Sequence, residues 1–334
     1  MLNKYTRPSA LDWINTGDLK VYIGWFGSGV TPLQAWQWTV PARTLNLLCC
    51  LLLFISTAGF NCRAHNRNTL IFAAASLEPV LSTIIEEYNT SLGSGPRRSS
   101  DRGPVAASFA ATSTLARQLE AGAPARLFFA AHPRWIEYLD ARNLLLADRS
   151  IVLLRNQLVV VAPLDASEST HMISDQWATI PVFPRAASAQ IGTNGAIGRT
   201  GIGDTPDPLA GKRVCLADPE HVPAGIYAAQ ALDHLGYAGW RANQPVYAAD
   251  VRANLYYIEQ GVCDLGFIYK TDALSSKRVR ILYRVPEGVH DPIEYVLAAT
   301  HAATASDLAF YEYLQTIESA RVFESYGFTF AAAP

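Results

Sequence analysis

Four places in the sequence set a small, hydroxylated or acidic residue directly ahead of an amphipathic run: Ser76 before Leu77, Thr112-Ser113 before Leu115, Pro223-Ala224-Gly225, and Asp250-Val251. Each reads as the start of a helix. The first turn of a helix has N–H donors with no partner inside the helix and carries the positive end of the dipole. Several such starts converging on one point therefore hold an anion without any lysine or arginine. The hydroxyls of Ser76, Thr112 and Tyr269 would add donors of the right length, with Ser113 as the fallback for Thr112. Tyr269 closes the apolar run LGFIY, a place that suits a core ring with its hydroxyl at the rim and suits a ligand donor equally.

Taken singly, each start has a plainer explanation, because Ser, Thr and Asp are ordinary N-caps that contribute about 1 kcal/mol to a helix. The surrounding words shift the balance. AAAS ends an apolar strand in a turn of small residues, and HVPAG places Ala and Gly where a backbone must approach something closely. Asp218, Glu220 and His221 would suit acid–base work, but they precede a helix start, and no nucleophile or second histidine stands at a recognisable spacing, so catalysis is not expected. The segment GTNGAIGRTGIG lacks the GK[ST] ending and the following helix of a phosphate loop, and reads as a surface loop.

The elements that must position these residues alternate strand-like and helix-like runs from about residue 67 onward, which predicts α/β architecture. Strands are expected at Thr69 to Ala74, Val105 to Phe109, Arg126 to Ala130, Leu158 to Ala162, Arg213 to Ala217, Leu265 to Tyr269, Val279 to Arg284 and Glu294 to Ala299. Helices are expected at Leu77 to Tyr88, Thr114 to Ala121, Ala224 to Leu235 and Val251 to Gln260, with one long closing helix from Ser306 to Tyr326. Glycines at 122, 236 and 261 stop three of them. The stretches Ser91 to Pro104 and Val182 to Pro208 read as loops.

With 334 residues, 50% of them hydrophobic and 17% charged, the chain has material for about two domains with substantial cores. A net charge of -2 gives no general attraction to nucleic acid or anionic lipid. Of five cysteines, Cys49 and Cys50 lie in an apolar run, and Cys62, Cys215 and Cys263 show no zinc or CxxC spacing. Buried free thiols at Cys215 and Cys263 are favoured over a single bridge.

Leu45 to Phe60, LNLLCCLLLFISTAGF, is shorter than the roughly 20 residues of a membrane span and suits the core of an export signal, with Arg43 ahead of it. Small residues follow at Ser56 and Ala58, or at Cys62 and Ala64, as cleavage requires. The signal is placed at 42–64, and residues 1–41 are read as an extension outside the mature protein, with translation starting further in. A lipid-modified Cys62 is disfavoured by the bulk of Phe60 and Asn61. An uncleaved anchor is the alternative.

Five words make a more specific pattern: FAAASL at 72–77, TSTLARQLEAGAPA at 112–125, LVVVAP at 158–163, ADPEHVPAGIYA at 217–228 and EYVLA at 294–298. In these the chain resembles the periplasmic molybdate-binding proteins of molybdate ABC transporters, from about Thr69 to Phe328, interrupted by insertions near 91–104 and 186–207. The resemblance implies a type II periplasmic binding protein of two α/β lobes with two crossover strands as hinge. Lobe 1 would span 65–155 plus 298–334, and lobe 2 would span 156–297. It also implies a monomeric, non-enzymatic receptor outside the cytoplasm, without a cofactor, that passes molybdate or tungstate to the transporter permease. Molybdenum would be held as the oxyanion by the hydroxyls of Ser76 and Thr112, main-chain N–H groups near Ala224 and Val251, and the phenol of Tyr269. The alternatives are a receptor of the same fold for another tetrahedral anion such as sulfate, and a membrane-tethered sensor. Thr112 stands where such proteins often have serine, and Arg126 and His132 stand where they are usually acidic.

Overall fold

The computed structural model describes residues 68–94, 103–166, 209–237 and 239–331. The expected signal segment, the N-terminal extension, Cys62 and most of the two insertions lie outside them. The described chain builds two sheets, whose central strands are formed from apolar segments. In the first, β1 (Thr69–Ala74) lies between β2 (Val105–Ala110) and β3 (Leu127–Ala130), parallel to both. Next to β3, and antiparallel to it, runs β10 (Glu294–Thr300), followed by β4 (Leu145–Arg155) and the short β11 (Thr329–Phe330). In the second sheet the order is β7 (Val246–Ala248), β6 (Val214–Ala217), β8 (Leu265–Tyr269), β5 (Leu158–Pro163), β9 (Val279–Arg284). Here β6 is parallel to β7 and β8, and β5 is antiparallel to β8 and β9.

Strands β5 and β8 are buried at every position, which is why LVVVAP and LGFIY carry no polar alternation. Helices cover the sheets: α1 (Glu78–Ser94), α2 (Thr112–Glu120) and α3 (Arg134–Asp140) belong with the first, and α4 (Pro223–His234), α5 (Val251–Glu259) and α6 (Lys270–Ser275) with the second. Gly266 lets α5 sit down on β8, since a Cβ there would lie 2.1 Å from the Ile258 Cδ1.

The described chain thus forms two α/β lobes, as the resemblance implies. It passes from the first sheet to the second at Asn156-Gln157, between β4 and β5, and returns at residues 285–293. The Asn156 N–H donates to the Ile293 carbonyl at 3.2 Å, tying the two passages together. Because β10 belongs to the first sheet from Glu294, the return passage ends before residue 297.

Three expectations need correction. The closing helix is two helices, α7 (Ala305–Tyr313) and α8 (Ile317–Ser325), because Thr316 starts a new one by accepting from the Ser319 N–H, while the apolar spacing runs unbroken across the joint. Helix α1 runs on to Ser94, into the stretch read as loop. Cys215 and Cys263 are not free thiols but a disulfide, with Cα atoms 5.7 Å apart. Cys215 lies on β6 and Cys263 just ahead of the parallel neighbour β8, so strand pairing brings together residues 48 apart in sequence. Such a bond belongs to an oxidising compartment.

Candidate anion-binding site

All five residues singled out by sequence line one cavity of about 210 Å³: Ser76, Thr112, Ala224, Val251 and Tyr269. Each is at most 4% exposed, so the residues that meet there are almost wholly removed from bulk water. The remaining lining is Ala74, Ala75, Ala111, Ala131, Val222, Pro223 and Asp250. No lysine or arginine is among them.

The local chain explains this convergence. Strands β1 and β2 end in small residues and turn at once into a helix start, a single 3-10 turn at Ala75–Leu77 and then α2, while β6 ends at Ala217 and reaches α4 through the short turn at residues 218–222. Small side chains at Ala74, Ala111 and Val222 keep the backbone close to the cavity, and no side chain caps any of these three starts. Ser76 and Thr112 are therefore not N-caps, because the cap positions are Ala74 and Ala111. The ordinary-cap explanation holds for Asp250 alone, whose carboxylate accepts from the N–H groups of Arg252 and Ala253, both at 2.9 Å. Pro223 and Gly225 fix the α4 start, and a Cβ on Gly225 would lie 2.2 Å from the Ala217 carbonyl oxygen.

The hydroxyls differ in what already holds them. Thr112 Oγ1 accepts from the Ala131 N–H at 3.1 Å, which leaves its own hydrogen to be given. Ser76 Oγ lies 2.8 Å from the Tyr295 hydroxyl. Tyr269 is 1% exposed, and its hydroxyl has no hydrogen-bond partner among the described residues. Burial, reinforced by Tyr295, Tyr227 and Asp272, pushes its pKa well above the ordinary phenol value, so it stays a donor. Ser113 Oγ is also buried without a partner but does not line the cavity.

Contacts between the lobes close over this space. From α4, the Tyr227 hydroxyl donates to the Ala131 carbonyl at 3.3 Å, and its ring stacks on His132 with centroids 4.8 Å apart. Arg252 of α5 faces Glu78 of α1 at 3.9 Å. Arg126 donates to the Ala302 carbonyl, within the first lobe. Asp218, Glu220 and His221 do not line the cavity.

Over residues 69–329 the sequence matches the family of bacterial extracellular solute-binding proteins. The chain belongs to that family. This solute-binding protein is 35% identical to the molybdate-binding protein ModA of Escherichia coli (strain K12) over 293 residues, covering 86% of this chain and 98% of that one. It is 29% identical to the protein of the same name from Haemophilus influenzae over 279 residues, covering 83% and 95%. The periplasmic molybdate-binding protein of Azotobacter vinelandii shares the fold, with a TM-score of 0.58 at 17% identity, covering 80% of this chain and all of that one. Membership makes the chain a binding protein rather than an enzyme, of a type that works outside the cytoplasm. Among the described residues no helix is long and apolar enough to cross a membrane, and no cluster of three or more His, Cys, Asp or Glu is placed to ligate a bare metal ion.

Sequence reasoning missed Tyr295 and Asn156. The Tyr295 hydroxyl meets Ser76, and Asn156 Nδ2 donates to that same hydroxyl at 3.3 Å. Tyr295 stands in an apolar strand word, EYVLA, where nothing separates it from a core ring, and only the pairing of β10 beside β3 and β4 brings it under Ser76.

Proposed function

We propose that this protein binds molybdate, and tungstate with it, and passes the oxyanion to the membrane permease of an ABC transporter. It works as a monomer, without a cofactor, after export by the segment at 42–64. The observation that carries the reading is the buried Tyr269 hydroxyl, which has no hydrogen-bond partner of its own while its residue lines the cavity. A buried donor left so costs about 1 to 3 kcal/mol, and an acceptor arriving in the cavity recovers it. The relationship to the Escherichia coli protein supports the choice of acceptor.

The chemistry follows from the donor set. A tetrahedral dianion that sheds its water needs several hydrogen bonds, each worth about 1.5 to 3 kcal/mol when charge-assisted. Ser76, Thr112 and Tyr269 supply hydroxyls, and the starts at Ala224 and Val251 supply main-chain N–H groups under a favourable dipole. A site composed of donors accommodates an anion that only accepts. It disfavours hydrogen phosphate, whose proton finds no acceptor among these five residues, while the one carboxylate of the lining, Asp250, is engaged through Oδ1 by the Arg252 and Ala253 N–H groups; sulfate is left to be discriminated by size. The cavity is far smaller than the roughly 300–1,000 Å³ clefts that take larger organic ligands.

A thermal-shift panel of molybdate, tungstate, sulfate and phosphate on protein beginning near residue 65 tests this. The melting temperature rises with the logarithm of molybdate or tungstate concentration and stays flat with phosphate. No shift with either group-six oxyanion overturns the proposal.

A further inference from the structure

Behind Ser76 runs a chain of buried polar groups that ends at the passage between the lobes. Asn156, between β4 and β5, directs its Nδ2 to Thr271 Oγ1 at 2.9 Å and to the Tyr295 hydroxyl at 3.3 Å. Its Oδ1 accepts from the Gln157 N–H at 2.8 Å, which fixes the amide with nitrogen toward Tyr295. An amide nitrogen only donates, so the Tyr295 oxygen accepts there. Tyr295 is fully buried, and among the hydrogen bonds made by its hydroxyl the other partner is Ser76 Oγ at 2.8 Å. Its single hydrogen therefore goes to Ser76, since the reverse orientation would strand a buried donor.

Resting on the proposed oxyanion reading, we infer that Tyr295 is a positioning residue which makes Ser76 a committed donor to the ligand. With the Ser76 oxygen accepting from Tyr295, the serine hydrogen is the part left for the cavity. Asn156 sets the direction of this relay from the point where the chain changes lobes, and Thr271 of α6 shares its amide, so the relay is complete only when the groups around the passage are in register. Without the Tyr295 hydroxyl the Ser76 oxygen would be free to accept as well as donate. The site would then lose part of its grip on a bare dianion and part of its bias against an anion that carries a proton.

The test is isothermal titration of the exported form of the parent, Tyr295→Phe, Ser76→Ala and the double variant with molybdate and with phosphate. Tyr295→Phe keeps the ring that packs edge-on against Phe129 and Phe328. It is expected to bind molybdate about tenfold more weakly than the parent, and to add less than about twofold in the Ser76→Ala background. Its preference for molybdate over phosphate narrows, whereas a merely structural role would weaken both alike. Asn156→Ala, which frees the other end of the relay, shifts affinity and preference in the same direction and serves if Tyr295→Phe does not fold. A parent that binds molybdate beside a Tyr295→Phe protein of equal affinity, or a loss of equal size in both backgrounds, overturns the relay and leaves the receptor reading standing. A parent that binds no anion overturns both.

Discussion

The two lobes contribute to the cavity by different means. The first presents hydroxyls, Ser76 and Thr112, whose oxygens already accept from or meet protein groups, Tyr295 and the Ala131 N–H. The second presents the helix starts at Ala224 and Val251 together with Tyr269, whose hydroxyl meets nothing. In the first lobe, donor direction is set by a prior hydrogen bond and can be lost by removing a distant hydroxyl. In the second, the main-chain donors at Ala224 and Val251 are set by covalent backbone geometry, which no side-chain substitution removes, and Tyr269 is the lobe's side-chain donor. What the second lobe needs instead is that its helix starts stay put. Gly225 lets α4 begin against the carbonyls of Ala217 and Asp218, and the Cys215–Cys263 disulfide holds β6 to the entrance of β8.

The largest expected effect tests that stiffness. Closing a loop of 48 residues stabilises by about 4 kcal/mol in the chain-entropy estimate, so replacing both cysteines by serine should lower the denaturant midpoint markedly. Since both cysteines lie away from the cavity lining, the order of anion preference should be unchanged in what remains folded. A changed order of preference would show that the cross-link shapes the site itself and would erase the distinction between a stapled lobe and a hydrogen-bonded one.

Next in size are two substitutions that cost affinity alike and stability unlike. Tyr269→Phe and Ser76→Ala should each weaken molybdate binding by about 1 to 3 kcal/mol. In ligand-free protein, however, Tyr269→Phe removes a buried hydroxyl that has no partner and should leave stability equal or up to about 1 kcal/mol higher. Ser76→Ala strands the Tyr295 hydrogen and should lower it by about 1 to 3 kcal/mol. Chemical denaturation beside calorimetric titration separates the two. Equal losses of stability in both variants would break the contrast between a held and an unheld hydroxyl.

How much of this was legible in the sequence follows the same division. The helix starts were readable because a strand ending in small residues followed by an amphipathic run is a local pattern, and all five candidates met in one cavity. Strand β4, eleven residues long, went unread because its burial follows no alternation and its middle carries Asp148 and Arg149. The disulfide and the Tyr295 relay depend on which strands lie side by side, a non-local fact. The break at Leu314 to Thr316 was hidden by an apolar spacing that runs across it. Ser76 and Thr112 were legible as polar residues at helix starts, but only the cap geometry showed that capping does not account for them.

The smallest expected effect sets a half-buried histidine of the first lobe against a buried carboxyl of the second. His132 of the first lobe stacks on Tyr227 of the second; burial foremost, then Arg134, lowers its pKa from 6.5 to about 4, with Asp291 opposing. Asp272 of the second lobe is raised by burial from 3.8 to about 7, with Arg252 at 3.9 Å only partly offsetting this and Asp250 adding to it. A lowered folded-state histidine contributes stability that is present above 6.5 and lost as the pH falls through about 4. A raised carboxyl contributes stability that is full below 3.8 and lost as the pH rises through about 7. Between about 4 and 6.5 the two slopes oppose each other, so the parental midpoint should vary little with pH there. Asp272→Asn removes the falling slope, leaving stability that climbs with pH across that window. His132→Phe keeps a ring against Tyr227 and leaves stability that declines as the pH rises toward 7. Denaturant midpoints measured in steps from pH 4 to 7.5 distinguish these cases, and three parallel profiles would show that neither group titrates as its burial dictates.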